Sequence, residues 1–227
     1  MKKKTKILIS VGVVLGLGIF LIKEAFQIED EILFSYYWKI GLGFLISVIV
    51  INSLYLLYYL NKAKKLLDLY NKKDFRNFID EHEKIIKKVK SRILKDQFSV
   101  NLSAGYIENG ELEKARDLLE DMDFNCIKDE KISLVYAINL CVVYFELQDY
   151  KRFKEYYDGH QDLFKKFKDD KNYKKNIYEL EIMYTIVVDR TYKKAEEMIE
   201  EAKQKWSDQK SQKDFNDLMI KLERIKD

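Results

Sequence analysis

Residues 101–122 read NLSAGYIENGELEKARDLLEDM, and the fold follows from how that stretch divides. Leu102 and Tyr106 stand one helical turn apart, Asn109 and Gly110 interrupt, and Leu112, Ala115 and Leu119 resume the same spacing. The periodicity predicts an amphipathic helix, a glycine turn, and a second amphipathic helix packed back against the first. Ala115 is the informative small residue. Its methyl side chain on the inner face lets two helices approach closely.

The same step recurs along the chain. KKDFRNFIDEH sets Phe75 and Phe78 three residues apart, LQDYKRFKEYY repeats this with Tyr150 and Phe153, and DRTYKKAEEMI with Tyr192 and Ala195. From Phe75 through Leu112 and Tyr150 to Tyr192 the anchors are spaced 37, 38 and 42 residues. Ahead of each turn stands a matching pair, Leu66 and Tyr70, Leu102 and Tyr106, Leu140 and Tyr144, Leu180 and Tyr184. A helix–turn–helix recurring at that period predicts stacked units, each covering the apolar face its neighbour leaves open. Residues 211–227, SQKDFNDLMIKLERIKD, add a last amphipathic helix with Phe215, Leu218, Met219, Leu222 and Ile225 on one face, placed to cap the stack.

The unit around Gly110 resembles a tetratricopeptide repeat (TPR), through Leu102, Tyr106, Gly110, Leu112, Ala115 and Leu119. The resemblance covers residues 60–205, with one good repeat and three degraded ones. Ser99 replaces the family's early aromatic, Phe78 and Phe153 stand where alanine is expected, and no proline ends any unit. It implies an α–α superhelix whose first helices line a concave groove, with Ala104, Ile107, Ile138, Val142, Phe145 and Tyr184 facing a protein partner. Val100 and Ala104 stand where carboxylate-clamp members of the family carry basic residues, which disfavours an acidic C-terminus as ligand. Residues 132–147, ISLVYAINLCVVYFEL, are apolar nearly all round. Burial between neighbouring helices and a place in the groove are the two readings of that helix.

Upstream, the chain is greasy. Residues 7–22, ILISVGVVLGLGIFLI, lie between Lys6 and Lys23. Sixteen helical residues rise about 24 Å, short of a hydrocarbon core of about 30 Å but within reach of snorkelling lysines. A cleaved signal peptide is the rival reading, and the absence of an A-x-A site counts against it. Residues 40–60, IGLGFLISVIVINSLYLLYYL, span about 31 Å as a helix. Tyr36, Tyr37 and Trp38 on one side and Tyr55, Tyr58 and Tyr59 on the other have the pattern of interfacial belts. A two-span hairpin is the expectation for residues 1–60, with residues 61–227 forming the repeat domain. The second span is expected to run unbroken into the first helix of that domain.

Charge sets the orientation. Lys2, Lys3, Lys4 and Lys6 precede the first span and Lys62, Lys64, Lys65, Lys72 and Lys73 follow the second, while the connection carries Glu24, Glu29, Asp30 and Glu31. Lysine stays on the inner side, which predicts a plasma-membrane protein with both termini cytoplasmic. Gly12 and Gly16 form a GxxxG, read as packing of the two spans against each other or, as the sharper alternative, homo-oligomerisation. Asn52 is expected to face protein rather than lipid. The basic run over residues 62–95 either touches anionic lipid or only sets topology.

Composition excludes much else. Proline is absent, glycine occurs 8 times, and charged residues make up 35% of the chain, so the class is all-α. A net charge of +3 leaves no nucleic-acid footprint. Cys126 and Cys141 read as reduced thiols, with a disulfide as the unforced alternative, and His82 and His160 lack ligand-spaced partners. No phosphate-binding loop, dinucleotide fingerprint or nucleophile elbow occurs. The sequence therefore predicts no enzyme, no cofactor and no metal. It predicts a scaffold, or alternatively a small accessory subunit whose spans carry the specificity. The Lys- and Ile-rich, proline-free composition resembles that of low-GC bacteria.

Overall fold

The computed structural model describes residues 3–226, less the side chains of residues 3–12, 15, 32–34, 37 and 40. Among the described residues every regular element is helical, and none is a strand. The chain divides into two compact units, Met1–Lys64 and Lys65–Asp227.

The first unit holds α1 (Lys3–Phe26) and most of α2 (Asp30–Asn71). Gln27 turns the chain between them with φ 48°, and Lys23 pairs with Asp30 at 2.5 Å. α2 continues without a break from the apolar run into the basic one. Its stretch Gly41–Asn71 is the one helix, among the described residues, long and apolar enough to cross a membrane. Phe44, Ile51 and Leu54 are among the apolar side chains it exposes. For the second such helix, expected over residues 7–22, the side chains of residues 7–12 and 15 lie outside the described residues.

The second unit contains α3 (Phe75–Lys88), α4 (Arg92–Glu108), α5 (Leu112–Glu120), α6 (Glu130–Glu146), α7 (Tyr150–Gly159), α8 (Gln161–Phe167), α9 (Lys174–Tyr184), α10 (Tyr192–Lys205) and α11 (Gln209–Lys226). A 3₁₀ turn, Phe124–Cys126, precedes α6, and α9 runs on into a π-helical segment, Thr185–Asp189. Contacts are local in sequence. α3 packs on α4, α4 on α5 and α6, α6 on α5, α7 and α9, and α10 on α9, the π segment and α11. α4, α6 and α9 thus touch in series.

Four turns share one backbone device. Lys73, Gly110, Gln148 and Arg190 all have positive φ, 59°, 76°, 59° and 53°. In the first three, the left-handed residue donates its N–H three residues back (to Tyr70, Ile107 and Phe145), and the next residue donates five back (to Leu69, Tyr106 and Tyr144). This is the Schellman closure of a helix C-terminus. At the fourth turn the extra residue of the π segment shifts the bond, and Thr191 donates to the Thr185 carbonyl at 3.3 Å. The next helix then starts at once. Asp74 and Asp149 cap α3 and α7 by accepting from the N–H groups of Asn77 and Arg152.

Because the turns are equivalent, so are the positions after them. Five residues past each left-handed residue lie Phe78, Ala115, Phe153 and Ala195, all buried. Phe78 fits because α4 offers Gly105 opposite it. A β-carbon there would stand 2.6 Å from the Phe78 ring. The leading leucines Leu66, Leu102, Leu140 and Leu180 are buried as well. α6 lies at the centre, burying Leu134, Ala137, Leu140, Cys141 and Val143 among its neighbours. α11 buries Phe215, Leu218 and Leu222.

Candidate interaction groove

α4, α6, α9 and α11 enclose a groove of about 440 Å³ within the second unit. Its apolar lining includes Ala104 and Ile107 from α4, Ile138 and Val142 from α6, Met183 from α9 and Leu218 from α11. Ala104, Ile107 and Val142 remain half-exposed there. Four of the six residues expected to face a partner are thus brought together on one surface.

The other two lie elsewhere. Phe145 is 2% exposed and packs against Phe153 at 5.9 Å and Tyr150 at 6.1 Å between ring centroids. Tyr184 stacks toward α7, with its ring 4.7 Å from that of Tyr157. The physical reason is the packing of α7. Val142 and Phe145 point only about 60° apart around the axis of α6, and Phe145 is the one that meets the rings of Tyr150 and Phe153 on α7. α6 is therefore core on most of its circumference and groove along one edge.

The charged rim is the part the sequence did not reveal. Glu108, Glu146, Glu179, Asp214 and Asp217 line the groove together with Lys175, Lys210 and Lys221. Lys210 of α11 reaches Glu108 of α4 at 3.1 Å, and its ammonium sits 5.3 Å from the centre of the Tyr70 ring. Tyr70 donates to the same carboxylate at 2.8 Å. Lys221 pairs with Glu146 and lies over Phe145. Lys175 serves two carboxylates, Asp214 at 2.7 Å and Glu179 at 3.1 Å. Burial pulls the Lys175 ammonium down, but the Glu179 and Asp214 carboxylates outweigh it and hold it above the ordinary lysine range. Burial also pushes the Glu179 carboxyl up, against the pull of Lys175.

α11, expected to cap the stack, is a wall of the groove. Lys210, Asp214, Asp217, Leu218 and Lys221 recur at helical spacing beside its apolar face. That spacing is the signal that could have marked the surface. Beneath the rim, Asn139 ties α6 to α4 by donating to the Ser103 hydroxyl at 3.0 Å and the Val100 carbonyl at 3.2 Å.

Gly12 lies outside the described residues. Among the described residues, a methyl group added at Gly16, Gly18, Gly41 or Gly43 would meet no atom of another helix within 4 Å. Asn52 donates to the Val48 carbonyl of its own helix at 2.8 Å. Cys141 is buried, and Cys126 donates to Asp123 at 2.7 Å. His82, without ligand-spaced partners in the sequence, is 1% exposed. Among the described residues no three His, Cys, Asp or Glu side chains gather as a metal set.

No protein-family model, no curated protein and no solved structure matches the chain.

Proposed function

We propose that this chain is a membrane-anchored scaffold. In this reading a two-span hairpin fixes it to the inner face of the plasma membrane, and a TPR-like α-solenoid recruits a protein partner. The observation that carries the reading is the groove. Ala104, Ile107 and Val142 are left open between helices in a chain that also holds a helix apolar enough to cross a bilayer. Exposed apolar side chains in a concavity are the usual mark of a binding surface.

Support for the solenoid comes from the four left-handed turns, three of them closed by the same hydrogen bonds, and the serial contact of α4, α6 and α9. Support for the inner face comes from the lysines that flank both apolar runs. The groove offers apolar side chains and paired charges, which suit binding rather than bond-breaking.

Photo-cross-linking tests it. A benzophenone side chain placed at Val142 or Ile107 of the full chain, in its native membrane, is expected to capture one discrete protein. The same group at Lys151, exposed on α7, is expected to capture none. Equal or absent capture from all three positions refutes the scaffold reading.

A further inference from the structure

We propose that the groove receives a short extended peptide segment of apolar residues carrying an arginine or lysine, whose charge is taken up by Glu179 and Asp217. This rests on the scaffold reading and specifies the partner's chemistry.

Charge complementarity carries the argument. Five carboxylates and three lysines line the groove. Lys210 and Lys221 each neutralise one carboxylate, Glu108 and Glu146. Lys175 must serve both Asp214 and Glu179, and Asp217 has no ion pair among the described residues. The lining therefore carries two more carboxylates than ammonium groups above an apolar floor. Between Glu179 and Asp217, Glu179 is the more exacting. Its Oε1 is buried, and the one cation near it, Lys175 at 3.1 Å, is shared with Asp214. A carboxylate that shares its only cation is under-compensated, and a guanidinium arriving along the groove adds a second charge and two donors. Asp217 lies one turn beyond Asp214 on α11 and faces the same space.

Size fixes the conformation. An α-helix with its side chains is about 10–12 Å across, and a groove of about 440 Å³ holds a few side chains rather than a helix. An extended segment presents alternate side chains to one surface, apolar groups to Ala104, Ile107 and Val142 and the basic one to α9 and α11.

The test uses the full chain in phosphatidylcholine nanodiscs, where no anionic lipid competes for basic peptides. The probe is an array of octapeptides with leucine, isoleucine, valine or phenylalanine at four positions and arginine, glutamine or glutamate at the others. Arginine peptides are expected to bind at least tenfold more tightly than their glutamate counterparts, and 0.5 M salt is expected to narrow the gap. Glu179→Gln with Asp217→Asn is expected to remove at least tenfold of the arginine preference at unchanged circular dichroism. Asp217→Asn alone, at an exposed position, removes part of it. Equal binding of arginine and glutamate peptides, binding of neither, or a preference untouched in the folded variants overturns the inference. The cross-linking above separates it from the reading beneath it. A partner captured from Val142 through a segment without lysine or arginine defeats this inference and leaves the scaffold standing.

Discussion

Replacing His82 with leucine is expected to remove most of the acid sensitivity of the helices around α3. His82 lies nine residues beyond the left-handed Lys73, the place that Leu119 and Ile199 occupy after Gly110 and Arg190. It is thus a histidine in a slot built for an aliphatic side chain. Its ring packs 4.1 Å from that of Phe78 and 5.8 Å from that of Phe98, and Nδ1 bonds the Phe78 carbonyl at 2.9 Å as the N–H donor. Burial lowers its pKa from 6.5 to about 4, with the carbonyl bond opposing. The folded state therefore holds the neutral ring, while the unfolded chain protonates below 6.5. The associated stability is complete above pH 6.5 and is lost as pH falls from there toward 4. At 1.36 kcal/mol per pKa unit, the loss from this residue is about 2 kcal/mol between pH 7 and pH 5 and about 3 kcal/mol by pH 4. Carboxylates also titrate near pH 4, so the quantity to measure is the difference between the native chain and His82→Leu. Hydrogen exchange of the α3 and α4 amides, measured on the full chain in detergent between pH 5 and pH 7.5, reports it. The variant is expected to lie within about 1 kcal/mol of the native chain at pH 7, one hydrogen bond lost against a better apolar fit. It should gain about 2 kcal/mol on the native chain by pH 5. Parallel pH profiles for the two proteins would refute the reasoning.

Gln148 adopts a left-handed backbone that costs a side-chain-bearing residue roughly 1–2 kcal/mol, part of which glycine returns as unfolded-chain entropy. Gln148→Gly is therefore expected to stabilise the second unit by about 0.5–1 kcal/mol and Gly110→Ala to destabilise it by a similar amount, both read from thermal unfolding. Gly105→Ala forces a methyl group to within 2.6 Å of the Phe78 ring and should cost about 1–3 kcal/mol, with Phe78→Leu in the same chain restoring most of it. Phe145→Glu places a carboxylate at a site only 2% exposed and should abolish cooperative unfolding, whereas Val142→Glu should keep the circular dichroism of the native chain and lose the cross-linked partner. Equal effects of the last two substitutions would show that α6 has no groove edge.

The amino-acid sequence by itself determined the helices, the turns between them and the apolar stretch able to cross a membrane. The turns are the clearest case. Lys73, Gln148 and Arg190 are not glycine, yet the apolar register on either side left the chain only one place to reverse, and the backbone turns left-handed there. Burial of Leu102, Leu140, Leu180, Ala115 and Ala195 follows from the same register. His82 was legible too, one turn from both Phe78 and Ile85, although Glu81, Glu83 and Lys84 beside it give the segment a charged local composition. The groove was legible only as far as Ala104, Ile107, Ile138 and Val142. Phe145 needed the position of α7 to place it, and the π segment that lengthens α9 leaves no trace in an apolar run such as residues 185–188. Apart from the i,i+4 pair of Lys175 and Glu179, the pairings of the ionic rim belong to the tertiary structure. Lys210 meets Glu108 across 102 residues of chain, and periodicity is silent about such a pair, because a local pattern fixes which way a side chain faces along its own helix. Which charge it meets depends on where the packed helices in between deliver the two ends.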